Sequence, residues 1–186
     1  SAVAEAHSRG LKVFTETIEE WAQQNPEKAD VVCAFQVLEH VTNPRSFLDS
    51  CIKCLRPGGQ LIISVPSADS FLPHSINNLL NLPPHHVSWW SDQSLKYIGD
   101  LFNLEFSSQY NDILADEHLE AYLNTLIVRA LDIKKNKIGL LDNSMRFRIY
   151  AKIASFLVPL LKKGLRICRM RPRGHSSTVV FVKSNI

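Results

Sequence analysis

Residues 29–67, ADVVCAFQVLEHVTNPRSFLDSCIKCLRPGGQLIISVPS, constrain the fold more tightly than any other stretch of the chain. After Asp30 comes an unbroken apolar run, Val31 to Phe35. A short run that is apolar on both faces reads as a central strand of a parallel sheet, covered by helices on both sides. A turn at Glu39–Asn43 leads to Pro44, whose fixed φ suits the first helical position, with Asn43 or Thr42 as cap. Phe47, Cys51 and Leu55 fall four apart, and Leu48 and Ile52 widen the stripe, so this helix has one buried face. Pro57-Gly58-Gly59 stops it, and Gln60–Val65 makes a second apolar strand ended by Pro66. The result is one βαβ unit with a right-handed crossover. Ligands of such sheets sit beyond the carboxyl ends of the strands, which makes Phe35–His40 and Ser64–Asp69 the expected functional rim.

These residues, DVVCAFQVLEHVTNPRSFL followed by LRPGGQLIISVPS, resemble the middle of a class I S-adenosylmethionine-dependent methyltransferase of the methyltransferase-23 type. In that family an acidic residue and apolar strand, an L-E-H turn, a helix ending L-[KR]-P-G-G and a strand ending V-P follow in this order. The resemblance covers the pattern of residues 1–110. It implies a doubly wound, mostly parallel α/β sheet of Rossmann-like type, whose last two strands are antiparallel. It also implies an upstream strand, a glycine-rich loop and a second strand ending in an acidic residue. None of these is found in the sequence, which has 7 glycines and no G-x-G. The first strands of the fold are therefore expected to be lacking, and the chain is expected to bind S-adenosylmethionine weakly or not at all.

The flanking segments fit the same α/β alternation. Ser1 to Ser8 reads as a helix with Ala2, Val3 and Ala6 inward and Gly10 closing it, followed by a short strand at Leu11–Phe14. Thr17-Ile18-Glu19-Glu20 fits a capping box at the start of the next helix, which ends near Asn25-Pro26. After the second strand, 67–81 reads as loop, Ser91 caps a helix with Leu95, Ile98, Leu101 and Phe102 on its apolar stripe, and Leu104–Tyr110 and Ser177–Lys183 read as strands.

For the cofactor, the resemblance implies Glu16 and Thr17 near the adenine, with Ala34, Phe35 and Gln36 lining its adenine and methionine parts. The bland readings are a solvated first-turn carboxylate for Glu16 and plain core for Phe35. The acceptor side draws on LPPHHVSWW, residues 82–90. Methyl transfer to oxygen needs alignment and a base near neutrality, which suits His85, His86 or His40. Glu39, Trp89 and Trp90 are expected to bind the acceptor, a small molecule or glycan; alternatively the turn and indoles only hold the loop. No metal is expected, because Glu39 and His40 are adjacent and the sequence assigns no third ligand.

The formal charge of +3 hides an asymmetry: residues 1–133 carry 8 basic and 17 acidic side chains, residues 134–186 carry 13 and 1. The positive part lies in residues 111–173, read as a helical insertion between the last two strands, leaving 1–110 and 174–186 as the sheet domain. Leu119, Tyr122, Leu123, Leu126 and Ala130 make one helix, Lys134, Lys135 and Lys137 a basic linker, and 145–171 a basic amphipathic segment that Pro159 must kink or divide. Such a segment suits an anionic membrane surface or a lid; no nucleic acid is expected as partner, for lack of a recognition motif. No secretory signal is visible, and four irregularly placed cysteines suit a reduced, cytoplasmic setting with the Cys51-x-x-Cys54 pair in the core. Two further readings remain: a nicotinamide-dependent Rossmann oxidoreductase, and a non-catalytic domain that docks on membranes or a partner.

Overall fold

In the centre of the chain, the helix cap, the crossover helix and the second strand form in the expected order, with the strand starting five residues early at Leu55. The computed structural model describes residues 2–132, 140–168 and 172–185, with side chains in the last helix described as far as Gly164. Strand β1 (Ala29–Phe35) leads through a single 3-10 turn, Leu38–His40, into helix α3 (Pro44–Cys54) and then strand β2 (Leu55–Pro66). Asn43 caps α3 by accepting from the Ser46 amide, with Pro44 in the first turn. β1 and β2 pair in parallel, Val31 opposite Gln60 through Phe35 opposite Ser64. The helix ends at Cys54, not at Pro57, and the strand claims the proline and both glycines. A register break between Ala29 and Val31 absorbs them. Gly58 sits at φ +76°, and a Cβ on Gly59 would stand 2.9 Å from the Arg56 carbonyl oxygen, so this bulge requires glycine at both places.

Helix α1 (Ala2–Ser8) and helix α2 (Ile18–Gln24) precede this unit, and α2 has the expected capping box between Thr17 and Glu20. Two expectations fail here. No side chain of α1 is buried, and Leu11–Phe14 is not a strand; Leu11 is 58% and Phe14 52% exposed. A strand needs a neighbour to satisfy its amides, and among the described residues this segment has none. After β2, helix α4 (Asp92–Phe102) is capped by Ser91 and closed by Asn103 in the left-handed conformation. Leu95 and Ile98 are buried on it, but Leu101 is exposed.

The sheet is completed by β3 (Leu104–Ile113) and β4 (Arg173–Lys183), in the order β1-β2-β4-β3. β4 runs antiparallel to both β2 and β3, so the four strands make a mixed sheet whose parallel part is the β1–β2 pair. Among the described residues β1 is paired on one side only, and Val31 and Phe35 are 47% and 58% exposed; the strands that the family resemblance implies upstream would lie on its open side. The main core lies between the sheet and α3 and α4, around Leu38, Leu61, Ile63, Leu95, Val179 and Phe181. Cys51 and Cys54 belong to its wall as free thiols; burial, with the neighbouring Cys54, pushes the Cys51 thiol up to about 12.

Helix α5 (Leu119–Leu131) and helix α6 (Met145–Cys168) sit between β3 and β4 and have a core of their own, with Leu119, Leu123, Val128, Ala154 and Val158. The loop after β2 joins it through Phe71, Leu72 and Ile76. Pro159 lies inside α6, which continues through it undivided. The expected basic linker at Lys134, Lys135 and Lys137 lies outside the described residues, as do the side chains of Arg166 and Arg169. No described helix is long and apolar enough to cross a membrane.

Arg173 ties the start of β4 to the rim, donating to Asp92 at 2.8 Å and to the Ser67 hydroxyl at 3.0 Å. Burial alone would raise the Asp92 carboxyl, but the hydrogen bond and charge of Arg173 outweigh it and hold the group below its usual range. A depressed folded pKa contributes stability above the unfolded value, about 3.9, and loses it as pH falls through the folded one. Thermal melts of the wild type should therefore drop steeply below about pH 4. Arg173→Ala should be less stable at pH 7 and show a shallower acid loss. Parallel pH profiles for the two chains would remove this pair as a contributor.

Candidate active site

The turn after β1 is held from inside and outside. Leu38 is fully buried in the main core, which draws Glu39 in after it. The Glu39 carbonyl accepts from the Val87 and Ser88 amides at 2.9 and 3.3 Å, so the LPPHHVSWW loop is strapped to the carboxyl end of the β1–β2 pair. The two prolines, joined by a cis peptide bond, lie in a turn instead of an extended segment. His85 is exposed, while its backbone carbonyl is 2.6 Å from His40 Nδ1. His86 Nδ1 is 3.0 Å from the side-chain oxygen of Asn81.

The backbone carbonyl of His85 can only accept, so His40 Nδ1 carries a proton; with the Asn81 oxygen turned toward it, His86 takes the same tautomer, and in the neutral rings Nε2 presents the lone pair. The rings of His40 and His86 meet edge to face with centroids 4.9 Å apart. His40 Nε2 is 3.8 Å from Glu39 Oε1. Burial pushes the His86 imidazole below its ordinary value, and the nearby His40 and His85 add to the effect. Burial likewise pushes the Glu39 carboxyl up, partly opposed by its own backbone amide and then by His40. Glu39 is almost fully buried, yet apart from that amide neither carboxylate oxygen has a hydrogen-bond partner among the described residues.

The indoles serve the loop. Trp89 Nε1 donates to the Asn81 carbonyl and Trp90 Nε1 to the Ser88 hydroxyl, both at 2.9 Å, and Trp90 also packs against the main core. At the other end of the rim, Gln36 takes φ +55° and donates its amide to the Ser64 carbonyl at 2.8 Å, fixing the tip of β1. Ala34 is buried beneath it and the Phe35 ring stands open. Thr17 is occupied as the α2 cap, and Glu16 just before it is exposed.

Between the two cores lies a cavity of about 500 Å³. Gln36 and Pro66 at the strand tips, Phe71, Leu72 and Ile76 of the following loop, and His86 line it. So do His118 and His175, which sequence reasoning did not single out. Their rings meet edge to face at 4.5 Å, and burial, with His118 beside it, pushes His175 below its ordinary value. Neither residue stands in a motif: His118 precedes α5, His175 is in β4, and only the return of β4 beside β2 brings them to the rim. A smaller cavity of about 350 Å³, largely apolar, runs between α5 and α6 and shares Ser75, Ile76 and Ala121 with the first.

A family model described as a methyltransferase domain matches residues 2–109. The chain belongs to that family. The resemblance to class I S-adenosylmethionine-dependent methyltransferases therefore holds for family and fold, and the nicotinamide reading falls away. Ubiquinone biosynthesis O-methyltransferase of Pseudomonas syringae pv. tomato is 36% identical over 147 residues, 67% of this chain and 63% of that enzyme. The enzyme of the same name from Vibrio atlanticus is 43% identical over 54 residues, 29% of this chain and 23% of its own length. This methyltransferase domain thus spans less than two thirds of the curated relatives it matches. A solved SAM-dependent methyltransferase from Thermotoga maritima superposes with a TM-score of 0.55 at 14% identity, over 96% of this chain and 67% of that one. At that identity the likeness concerns the fold.

Proposed function

We propose that the protein containing this domain transfers a methyl group from S-adenosylmethionine to a hydroxyl oxygen of a small acceptor. Membership of the methyltransferase-domain family carries the reaction class. The convergence of His40, His85 and His86 on the rim is the observation that supports oxygen as the acceptor atom. When bound, the cofactor supplies an electrophilic methyl group on a sulfonium sulfur. Phe35 and Gln36 would hold it at the open tip of β1 with Ala34 beneath, and Glu16 and Thr17 remain the candidates for its adenine end; a half-exposed aromatic ring at a strand tip suits a cationic, partly apolar ligand.

The acceptor occupies the cavity between the two cores, its hydroxyl toward His86. His86 is the best-placed base, because it lines the cavity and directs an Nε2 lone pair away from Asn81. His85 is exposed and His40 stands behind His86, so they are second choices. The lining of Phe71, Leu72 and Ile76 favours an acceptor with an apolar part over a bare saccharide. Glu39 acts by holding the loop, and Trp89 by walling it. The relatives named as O-methyltransferases agree with transfer to oxygen. The test is formation of S-adenosylhomocysteine by the whole protein over a panel of phenols, alcohols and glycosides. Cofactor binding without turnover on any of them would favour a non-catalytic docking domain.

A second reading concerns where the acceptor comes from, and α6 supports it. This helix is apolar on two faces: Ala154 and Val158 pack into the α5 side, while Met145, Ile149, Phe156 and Leu160 point outward, Phe156 being 75% exposed. Arg148, Lys152 and Lys163 flank the outward stripe. We read helices α5 and α6 as a lid that rests on an anionic membrane surface at the cytoplasmic face, each cation near it adding about 1 kcal/mol. Liposome flotation should show binding to anionic vesicles, weakened about 10-fold or more by Ile149→Glu with Phe156→Glu, and little binding to neutral ones. Equal binding to both vesicle types, or to neither, would remove this reading.

A further inference from the structure

The sequence offers Glu39 and His40 without a third partner; the fold supplies one. We propose that Glu39, His40 and His86 form a binding site for a divalent first-row transition ion, Zn²⁺ or a close neighbour. Three observations carry this. One ligand atom from each residue lies within 4.8 Å of the others. The Glu39 carboxylate is buried and, apart from the nearby amide of Glu39 itself, neither oxygen has a hydrogen-bond partner among the described residues, although a buried carboxylate ordinarily has several. Both imidazoles are oriented by a carbonyl on Nδ1, His40 by His85 and His86 by Asn81, and this is the outer-shell arrangement that aims Nε2 at a metal.

The donor set selects the ion. Two imidazole nitrogens and one carboxylate suit Zn²⁺, Co²⁺, Ni²⁺ or Fe²⁺, whereas Mg²⁺ and Ca²⁺ prefer oxygen throughout. A tetrahedral ion with bonds near 2.0–2.1 Å holds its ligands about 3.4 Å apart, so atoms now up to 4.8 Å apart need to close by as much as about 1.4 Å. His40, exposed and on a short turn, has room to do so. Three protein ligands leave a coordination position open, and His86 already lines the acceptor cavity. Resting on the methyl-transfer reading, the ion would bind the acceptor oxygen there and lower the pKa of its hydroxyl, the proton passing to water. That role and His86 as direct base exclude each other, since both use the same Nε2 lone pair.

The test is metal binding by the intact, untagged chain, independent of turnover. Dialysis against Zn²⁺ with metal analysis, and Co²⁺ titration followed by visible absorption, should each give one saturable site per chain, with excess Mg²⁺ failing to compete. Glu39→Gln, His40→Asn and His86→Asn should each weaken binding by at least about 10-fold, and Asn81→Ala by about 10-fold through the loss of orientation. His85→Ala, which keeps the carbonyl that orients His40, should bind as the wild type. If Glu39→Gln disrupts the fold by circular dichroism, the histidine and Asn81 variants decide. Absence of saturable Co²⁺ or Zn²⁺ binding, equal binding by all variants, or displacement by equimolar Mg²⁺ would each overturn the assignment. Failure of methyl transfer with metal binding intact would instead sink only the catalytic reading.

Discussion

Replacing His86 with asparagine is expected to lower kcat of the whole methyltransferase by about 10²–10⁴-fold, with the KM for S-adenosylmethionine within about 2-fold of wild type. Asparagine keeps a polar group beside Asn81 but has no nitrogen lone pair to direct into the cavity. The loss should fall on kcat, because the interaction removed is one with the reacting oxygen and not with the cofactor. His85→Asn, at an exposed ring, should cost far less. Wild-type turnover by each of the single His40, His85 and His86 variants would mean that the proton leaves by another route. His118 and His175, across the cavity, would then be the residues to change. Chelator sensitivity separates the two roles of His86. If dialysis against a chelator abolishes turnover, the imidazole acts through a metal; if turnover persists, it acts on the proton directly.

Truncating Phe181 to alanine should destabilise the protein by about 3–5 kcal/mol, a large share of the 5–15 kcal/mol typical of a domain. Its ring is fully buried on β4 and lies edge to face with Phe106 at 5.9 Å. On its other side it abuts Gly99 of α4 so closely that a Cβ there would lie 3.2 Å from the ring. Helix and sheet can approach this closely only because residue 99 is glycine, so the ring fills a space that neither side can recover by moving. Phe181→Leu, which leaves most of the volume occupied, should cost about half as much or less. Urea denaturation measures both; a loss under about 1 kcal/mol for the alanine variant would contradict the packing described.

The β1-α3-β2 unit was legible because its elements are specified locally. Asn43 and Pro44 mark the helix start, the apolar runs mark the strands, and the connection is short enough for its handedness to be general. The same holds for the Thr17 and Ser91 caps. What failed depended on neighbours. Val31–Phe35 has the composition of a strand covered on both faces, but among the described residues one side of it is unpaired, so Val31 and Phe35 stand open. Leu11–Phe14 has strand-like residues without a partner strand among those described. Pro159 is expected to kink or divide its segment; it does not divide it, since packing on α5 around Ala154 and Val158 sustains one helix across it. The rim was half visible. LEH and PPHH stood out as unusual runs, whereas the burial of Glu39, the clasp between His86 and Asn81, and the opposition of His118 and His175 arise only when distant segments meet.

The outer side of β1 has a consequence for handling. Among the described residues this strand is paired on one side only, and Val31 to Phe35 includes no proline and no charge. Natural sheets usually guard such a margin with lysine, proline or a bulge, because its free amides and carbonyls are a template for a foreign backbone. A second copy of these residues has room to pair there, in a reaction second order in protein, whereas the strands that the family resemblance implies upstream would cover the same margin. On that view those strands guard a preparation against its own concentration, even far below the temperature at which it melts.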